Sequence, residues 1–399
     1  MSSTSDERKT ILIVGAGLGG LALAQLLQQE FSSSIQVIVF ERDAGEDVRD
    51  QGYFITINQM GSDVLKRIAT VNDVFSHPST MSYSQYQLKL ANKSMNVILE
   101  STSDEMNIIN RGLLRRSLLK NIDVQWNKRF VSYKILDDGV EVYFEDGSRV
   151  QGTLLVGCDG AKSLVRTQLI PDLQGNYAGV IHVAGTIEHN EELRQIKQLV
   201  SNSLVQVYGD QGYSLFLVST GQLWLWSLSW PSADRIETEI SLTQLLDKVR
   251  TNFANEEFVR LIQLSSSICL NTLPIYSFPP LKVNPFQNNS RVTLLGDAAH
   301  LMTPHRGMGA NTAFADAFDL IDVIRSGHTK SSLANYEEKM FKRGFQAVRD
   351  SLETTRITHM LGVSARIRNY IIWFLHYSIA LKNLISMPFS WYWQEKTKN

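Results

Sequence analysis

Ile11-Leu12-Ile13-Val14 is a short aliphatic run, and Gly15-Ala16-Gly17-Leu18-Gly19-Gly20 follows it without a break. The run has the length and β-branched content of a buried strand, and Leu18–Gln29 carries the apolar spacing of a helix. The glycines therefore sit in a strand-to-helix turn. Gly15 permits the tight turn, Gly17 lets a pyrophosphate approach the backbone, and Gly20 lets helix and strand pack closely. The helix N-terminus offers free N–H groups and a partial positive charge to phosphate. Val37–Phe40 reads as a second strand, which closes a βαβ unit of the usual size of about 30 residues. Glu41 ends that strand about 20 residues past the turn, where an acid binds ribose hydroxyls.

Further along, Gly61–Ala69 and Leu113–Asn121 read as helices. Val131–Leu136 and Val140–Phe144 alternate around Asp138-Gly139, a hairpin signal, and Thr153–Cys158 is another buried-type strand. Between Tyr177 and Thr272 the texture turns to strands: Val180–Ile187, Leu204–Tyr208, Tyr213–Val218 and Leu223–Trp230, then a helical Ile240–Leu264. Arg291–Leu295 returns to a buried strand and leads into Gly296-Asp297-Ala298-Ala299-His300, then Pro304-His305-Arg306-Gly307-Met308-Gly309-Ala310-Asn311. An acid at that strand end can accept a hydrogen bond from a sugar-like hydroxyl. Pro304 stiffens the loop, Gly307 and Gly309 clear space for a flat ring, and Asn311 starts a helix that Gly327 stops. Everything after Ser331 reads as helical. The class is α/β: a Rossmann-like nucleotide layer in separated segments, an inserted and mostly antiparallel sheet, and a helical C-terminal segment. The expected layout is 1–75, 99–175 and 285–345 for the nucleotide layer, 76–98 and 176–284 for the inserted domain, and 346–399 for the terminal helices.

Bulk properties agree with that reading. A chain of 399 residues exceeds the size at which one core stops growing. A net charge of −1 gives no electrostatic footprint for nucleic acid. Cys158 and Cys269, the only two cysteines, lie in apolar runs, and no zinc-type spacing occurs, so no metal is expected. Met1–Thr10 lacks the apolar stretch of a secretory signal, so a cytoplasmic protein is expected. The tail Asn369–Leu381, continued by Asn383–Trp393 after Lys382, is too short and too interrupted to span a bilayer. A packed helix is the plain reading and a peripheral membrane contact the second.

Three motifs in order, Gly15–Gly20 with Glu41-Arg42, Cys158-Asp159-Gly160-Ala161-Lys162-Ser163 with Arg166, and Gly296-Asp297, make the chain resemble the single-component FAD-dependent aromatic hydroxylases. This is the para-hydroxybenzoate hydroxylase family, which includes the tetracycline-inactivating monooxygenases. The resemblance spans about residues 10 to 345. It implies FAD as cofactor, with Gly15, Ala16, Gly17, Leu18, Gly19 and Gly20 cradling the pyrophosphate, Glu41 on the adenosine ribose and Arg42 near the adenine. It further implies Asp297 on the ribityl chain, and Pro304, Gly307, Met308, Gly309, Ala310 and Asn311 around the pyrimidine edge of the isoalloxazine. Asp159 and Gly160 are tied to both FAD and NAD(P)H, and Arg111 matches a flavin-contacting arginine. The chain departs from the family at Met308, where relatives carry glutamine, and at Ala184, where many carry an arginine.

The implied activity is an NAD(P)H-requiring monooxygenase. O₂ and a transient NADH or NADPH are its co-substrates, and a flavin C4a-hydroperoxide delivers oxygen to an aromatic or polycyclic small molecule. The inserted sheet would roof the flavin. By the period of two, His182, Ala184 and Thr186 share a face, and His182 is a candidate base or ligand. His305 is a second candidate, in the loop nearest the reactive edge, whereas His300 reads as structural. Tyr213, Trp224 and Trp226 are candidate substrate-lining aromatics. A flavin halogenase, a flavin oxidase and a non-catalytic binding protein of the same fold are the competing readings. Trp224-Leu225-Trp226 lacks the halogenase continuation.

Overall fold

The computed structural model describes residues 9–371, apart from 47, 49–53, 104, 221–222, 236–238, 287–290, 328 and 369 and from the side chains at 267 and 269–272. Two compact units emerge. One is Met1–Gln85, Asp104–Gly179 and Pro274–Thr355; the other is Tyr86–Ser103, Val180–Leu273 and Arg356–Asn399.

The first unit is built on a parallel sheet ordered Val292–Leu294, Leu154–Gly157, Lys9–Val14, Ile35–Phe40, Val124–Gln125. Ile11, Leu12, Ile13, Leu154 and Leu155 are fully buried, as a parallel sheet covered on both faces requires. Helix Leu18–Phe31 packs against helix Gly309–Arg325, and Gly327 in the left-handed region ends the latter. Strands Phe130–Ile135, Val140–Phe144 and Arg149–Gly152 form the expected meander, closed at Asp138-Gly139 by the Leu136 N–H donating to the Gly139 carbonyl. A third sheet was not anticipated: Phe54–Asn58, Met106–Asn110 and Met81–Tyr83, in that order. Two of its strands end in asparagines that cap helices. Asn58 Oδ1 accepts the Gly61 N–H, and Asn110 Oδ1 accepts the Leu113 N–H. Lys330–Thr358 is one long helix, as the sequence reading expects.

The second unit carries a seven-stranded sheet ordered Ser267–Ser277, Asn176–Glu188, Leu223–Pro231, Ser214–Ser219, Ser203–Tyr208, Tyr86–Asn92, Val97–Ser103. Register separates its two faces. Ile181↔Trp230, Val183↔Leu228, Gly185↔Trp226 and Ile187↔Trp224 pair on one face, and all but Gly185 are buried hydrophobics. Helices cover that face, because the Trp226 indole N–H donates to Ser265 Oγ at 2.8 Å and Lys248 Nζ lies 5.2 Å from the Trp230 ring. His182↔Ser229, Ala184↔Ser227 and Thr186↔Leu225 pair on the other face, where His182, Ala184, Thr186, Leu225 and Ser227 are only half-buried. The predicted Ile240–Leu264 helix is instead two helices, Leu242–Asn252 and Glu256–Gln263. Phe253 is extended at the break and Asn255 caps the second helix through the Glu257 N–H, which is the usual competition of a short polar side chain with the helix ladder.

Among the described residues, no helix is long and apolar enough to cross a membrane, and no cluster of His, Cys, Asp and Glu could hold a metal ion. Cys158 is a free thiol. The tail's proposed membrane contact, Asn369–Trp393, falls almost wholly outside the described residues.

Candidate functional site

The glycine turn is shaped by close approaches on one side and open space on the other. Gly15 has φ +110°, its N–H donates to the Phe40 carbonyl, and a Cβ there would lie 2.4 Å from the Cys158 carbonyl oxygen. A Cβ on Gly20 would lie 2.3 Å from the Gly15 oxygen, the close helix–strand packing that the spacing predicts. A Cβ on Gly17 would meet nothing within 4 Å. The Leu18–Phe31 helix has no side-chain cap and no acid in its first turn. Its N–H groups and partial positive charge are therefore unspent beside the open space at Gly17.

Glu41 sits beneath this turn. Its carboxylate accepts the Ala16 N–H at 2.9 Å and the Asp43 N–H at 3.1 Å, which leaves half of its acceptor capacity for hydroxyl donors. Arg42 is exposed just beyond. Arg115, buried in helix Arg111–Leu119, donates from Nε to the Ala16 carbonyl at 3.0 Å and from a terminal nitrogen to the Glu46 carbonyl at 2.9 Å. The sequence reading names Arg111 and does not single out Arg115. Its signal was the spacing: four residues after Arg111 puts it on the same helix face, one turn further in. Burial lowers its pKa, opposed by the charge of Glu41 and reinforced by that of Arg111.

The second motif works through its acid and a buried arginine. Asp159 Oδ2 accepts the Leu164 N–H at 2.8 Å and the Val165 N–H at 3.3 Å, while Oδ1 is buried without a partner. Burial raises its pKa, opposed by the Ser163 hydroxyl and the neighbouring amides. Arg166 donates to the carbonyls of Ala298 and Ala161 and lies 4.9 Å from the Phe278 ring. Its Nε is a buried orphan, and both Asp159 and Asp297 act on its charge. Arg166 thus ties the second motif to the third, a link that no local pattern announces.

Asp297 has solvent-exposed surface, yet protein surrounds it at longer range strongly enough to raise its pKa. An exposed carboxyl in such crowded surroundings lies in the wall of a depression. His300, Arg111 and Arg166 draw its pKa the other way, so Arg111 and Arg166 both act electrostatically on this acid. Gly309 faces it, because a Cβ there would lie 3.5 Å from Asp297 Oδ1. Helix Gly309–Arg325 starts at Met308, again with no side-chain cap and no acid in its first turn. The Asn311 side chain is fully engaged: Nδ2 donates to the Thr56 and Gly307 carbonyls, and Oδ1 accepts the Asn58 N–H. What Asn311 offers a ligand is its backbone N–H. Met308 Sδ accepts from Asn58 Nδ2 at 3.6 Å. Pro304 opens a short 3₁₀ turn, within which His305 Nδ1 shares the Thr355 hydroxyl at 2.9 Å.

His300 is fully buried and meets Asp316 Oδ2 at 2.6 Å, and Arg343 reaches Asp316 Oδ1 at 2.7 Å. This makes His300 a structural residue under the Gly-Asp turn, as the sequence reading has it.

These residues fit FAD. Two uncapped helix N-termini, an open cradle at Gly17, an acid below it, a second acid in a depression and two buried orphan atoms answer the needs of a pyrophosphate with a sugar chain on either side.

The substrate candidates separate. Trp224 and Trp226 are each 2% exposed on the helix-covered face. Tyr213 stacks on Trp230 at 5.9 Å between centroids, and its hydroxyl meets Lys248 Nζ at 3.2 Å. His182 lies on the opposite face, with Ser214 in register two strands away and Phe216 in register with the neighbouring Ala184. The tryptophans were singled out by residue type, and alternation places them under helices rather than with His182.

Comparison with known proteins agrees with the geometry. The chain is 30% identical over 384 residues to the FAD-dependent monooxygenase thnD of Trichoderma harzianum, covering 86% of this chain and 92% of that protein. It is 28% identical over 360 residues to an FAD-dependent urate hydroxylase of Klebsiella pneumoniae, covering 87% of this chain and 90% of the relative. The crystal structure of Klebsiella pneumoniae HpxO with FAD and uric acid superposes with a TM-score of 0.77 at 23% identity, over 92% of this chain and 93% of that one. The family model described as an FAD binding domain matches residues 8–351, and the chain belongs to this family as an FAD-dependent monooxygenase.

Proposed function

We propose that the enzyme uses NADH or NADPH and O₂ to place one oxygen atom on a small aromatic or polycyclic molecule, by hydroxylation or epoxidation. The observation that carries this is the convergence of Gly17, Glu41, Arg111, Arg166, Asp297 and two uncapped helix N-termini in one unit. The sequence holds a single GxGxxG turn, so NAD(P)H has no domain of its own and would bind transiently. Bound FAD supplies the redox chemistry and the activation of O₂. The chain's residues do the rest. The Gly15–Gly20 turn holds the pyrophosphate, and Glu41 takes the adenosine ribose, with Arg42 near the adenine. Asp297 takes the ribityl hydroxyls, Asp159 and Gly160 serve both nucleotides, and Arg111 and the first-turn amides of the Gly309 helix face developing negative charge on the ring. We assign no catalytic base.

The test is direct. The purified protein should show a flavin spectrum, and NAD(P)H oxidation should rise with an aromatic substrate and yield an oxygenated product. Oxygen uptake without NAD(P)H would point to an oxidase instead. Asp297→Ala should weaken FAD binding by about 1.5–3 kcal/mol, roughly ten- to hundredfold, as expected for one charge-assisted hydrogen bond. Stoichiometric FAD retained through dialysis in that variant would remove Asp297 from the site.

A further inference from the structure

The sheet face that carries His182 says what kind of substrate it suits, on the monooxygenase reading above. His182 is half-buried on strand Asn176–Glu188. Its Nδ1 is buried with no hydrogen-bond partner, which leaves the Nε2 edge as the part of the ring a ligand can reach. Burial lowers its pKa, so the ring is neutral and carries one N–H. An orphaned buried N–H is rarer and costlier than an orphaned acceptor, at about 1–3 kcal/mol for an unmet group. The proton therefore belongs on Nε2, and the ring presents a donor rather than a base.

The strand positions of the surrounding face carry one acid, Glu188 at the strand end, and no cation. Across four strands, the positions in register with His182 and its neighbours include Ala184, Thr186, Ser227, Leu225, Phe216 and Gln206, and none of the positions on that face is Lys or Arg. Arg368 lies over the ring of Tyr208 at 4.0 Å, three strands from His182. An anionic ligand beside His182 would therefore meet Glu188 on its own strand and no Lys or Arg on that strand or the next, and an unpaired charge taken out of water is expensive. Phe216 supplies a flat apolar contact, and Gln206 is held by its amide donating to Ser214 Oγ at 2.5 Å.

We propose that His182 donates its Nε2–H to a carbonyl or phenol oxygen of an uncharged aromatic substrate, and that this face disfavours carboxylate-bearing and urate-like anions. His182 is then a specificity-determining residue.

Two measurements on the holoenzyme test this. Long-range ¹H–¹⁵N correlation on ¹⁵N-histidine-labelled protein at about pH 7.5 should show His182, assigned by its loss in His182→Gln, as the neutral Nε2–H tautomer. An Nδ1–H tautomer or an imidazolium would overturn the donor role. Equilibrium dialysis should show 2-naphthol binding at least about tenfold tighter than 2-naphthoate. His182→Gln, which keeps a donor, should hold 2-naphthol within about threefold, whereas His182→Phe should lose about tenfold. Ala184→Arg should reverse the preference. Equal affinities, a preference for 2-naphthoate, or no binding of 2-naphthol would each overturn the substrate class. Neither readout depends on turnover. A protein that fails to oxidise NAD(P)H would sink the monooxygenase reading while leaving the tautomer and the binding preference to be judged by themselves.

Discussion

Asp316→Ala is expected to destabilise the protein by about 3–5 kcal/mol, the usual cost of removing one partner from a buried ion pair. Asp316 has no exposed surface, and three groups depend on it. Its Oδ2 accepts the Gly296 N–H at 3.0 Å and meets His300 Nε2 at 2.6 Å, while Oδ1 meets Arg343 at 2.7 Å. Burial alone would lower the pKa of His300, but the Asp316 charge and hydrogen bond outweigh it and the net shift is upward. Burial alone would raise the pKa of Asp316, but His300 and Arg343 outweigh that and the net shift is downward. The sign follows for each. The aspartate contribution is present above its ordinary 3.8 and is lost as pH falls through its lower folded value. The histidine contribution is complete below 6.5 and is lost as pH rises through its higher folded value. Urea unfolding at about pH 6 should therefore show the full loss in Asp316→Ala. The pKa of His300, followed by NMR, should drop. Asp316→Asn keeps an acceptor for the Gly296 N–H and should lose less. A change under about 1 kcal/mol in the alanine variant, within the range of an ordinary surface substitution, would mean that the pair contributes nothing net.

Glu337→Gln is expected to stabilise the enzyme by about 2–3 kcal/mol near neutral pH. Glu337 is 2% exposed, and its one hydrogen bond found among the described residues is accepted from the Thr293 hydroxyl at 3.0 Å. Burial pushes its pKa up from 4.5 to about 8, with the Thr293 hydroxyl pulling down. The folded state thus holds a proton that the unfolded chain releases, so stability is complete below 4.5 and falls as pH rises toward 8. At about 1.4 kcal/mol per unit the cost at pH 7 is on the order of 3 kcal/mol. A glutamine is neutral throughout and still accepts from Thr293. Its advantage should grow across the window and vanish at or below about pH 4.5. An equal advantage at acid and neutral pH would show that the carboxyl is ionised in the folded state.

Local pattern revealed much of the first unit. The Gly15–Gly20 turn, the Asp138-Gly139 hairpin and the Gly296-Asp297 strand end each encode their structure within a few residues. What stayed hidden depends on long-range packing. Arg166 matters because the Ala298 carbonyl, 132 positions away, lies above it. The short strands Phe54–Asn58 and Met81–Tyr83 exist because Met106–Asn110 lies between them. Trp224 and Trp226 attract attention as aromatics, but alternation alone cannot say which face of a strand the helices will cover. The register with Ile187 and Gly185 settles it.

Gly15, Gly17 and Gly20 look alike in the sequence and should behave differently in a mutant library. A methyl group on Gly15 or Gly20 strikes backbone at 2.4 or 2.3 Å and should block folding, whereas a methyl on Gly17 strikes nothing. Gly17→Ala should give normal yields of folded protein that purifies with reduced colour, recoverable in part by excess FAD. Pallor at that position would then report on occupancy rather than on misfolding, and a screen that scores colour alone would confuse an empty vessel with a broken one.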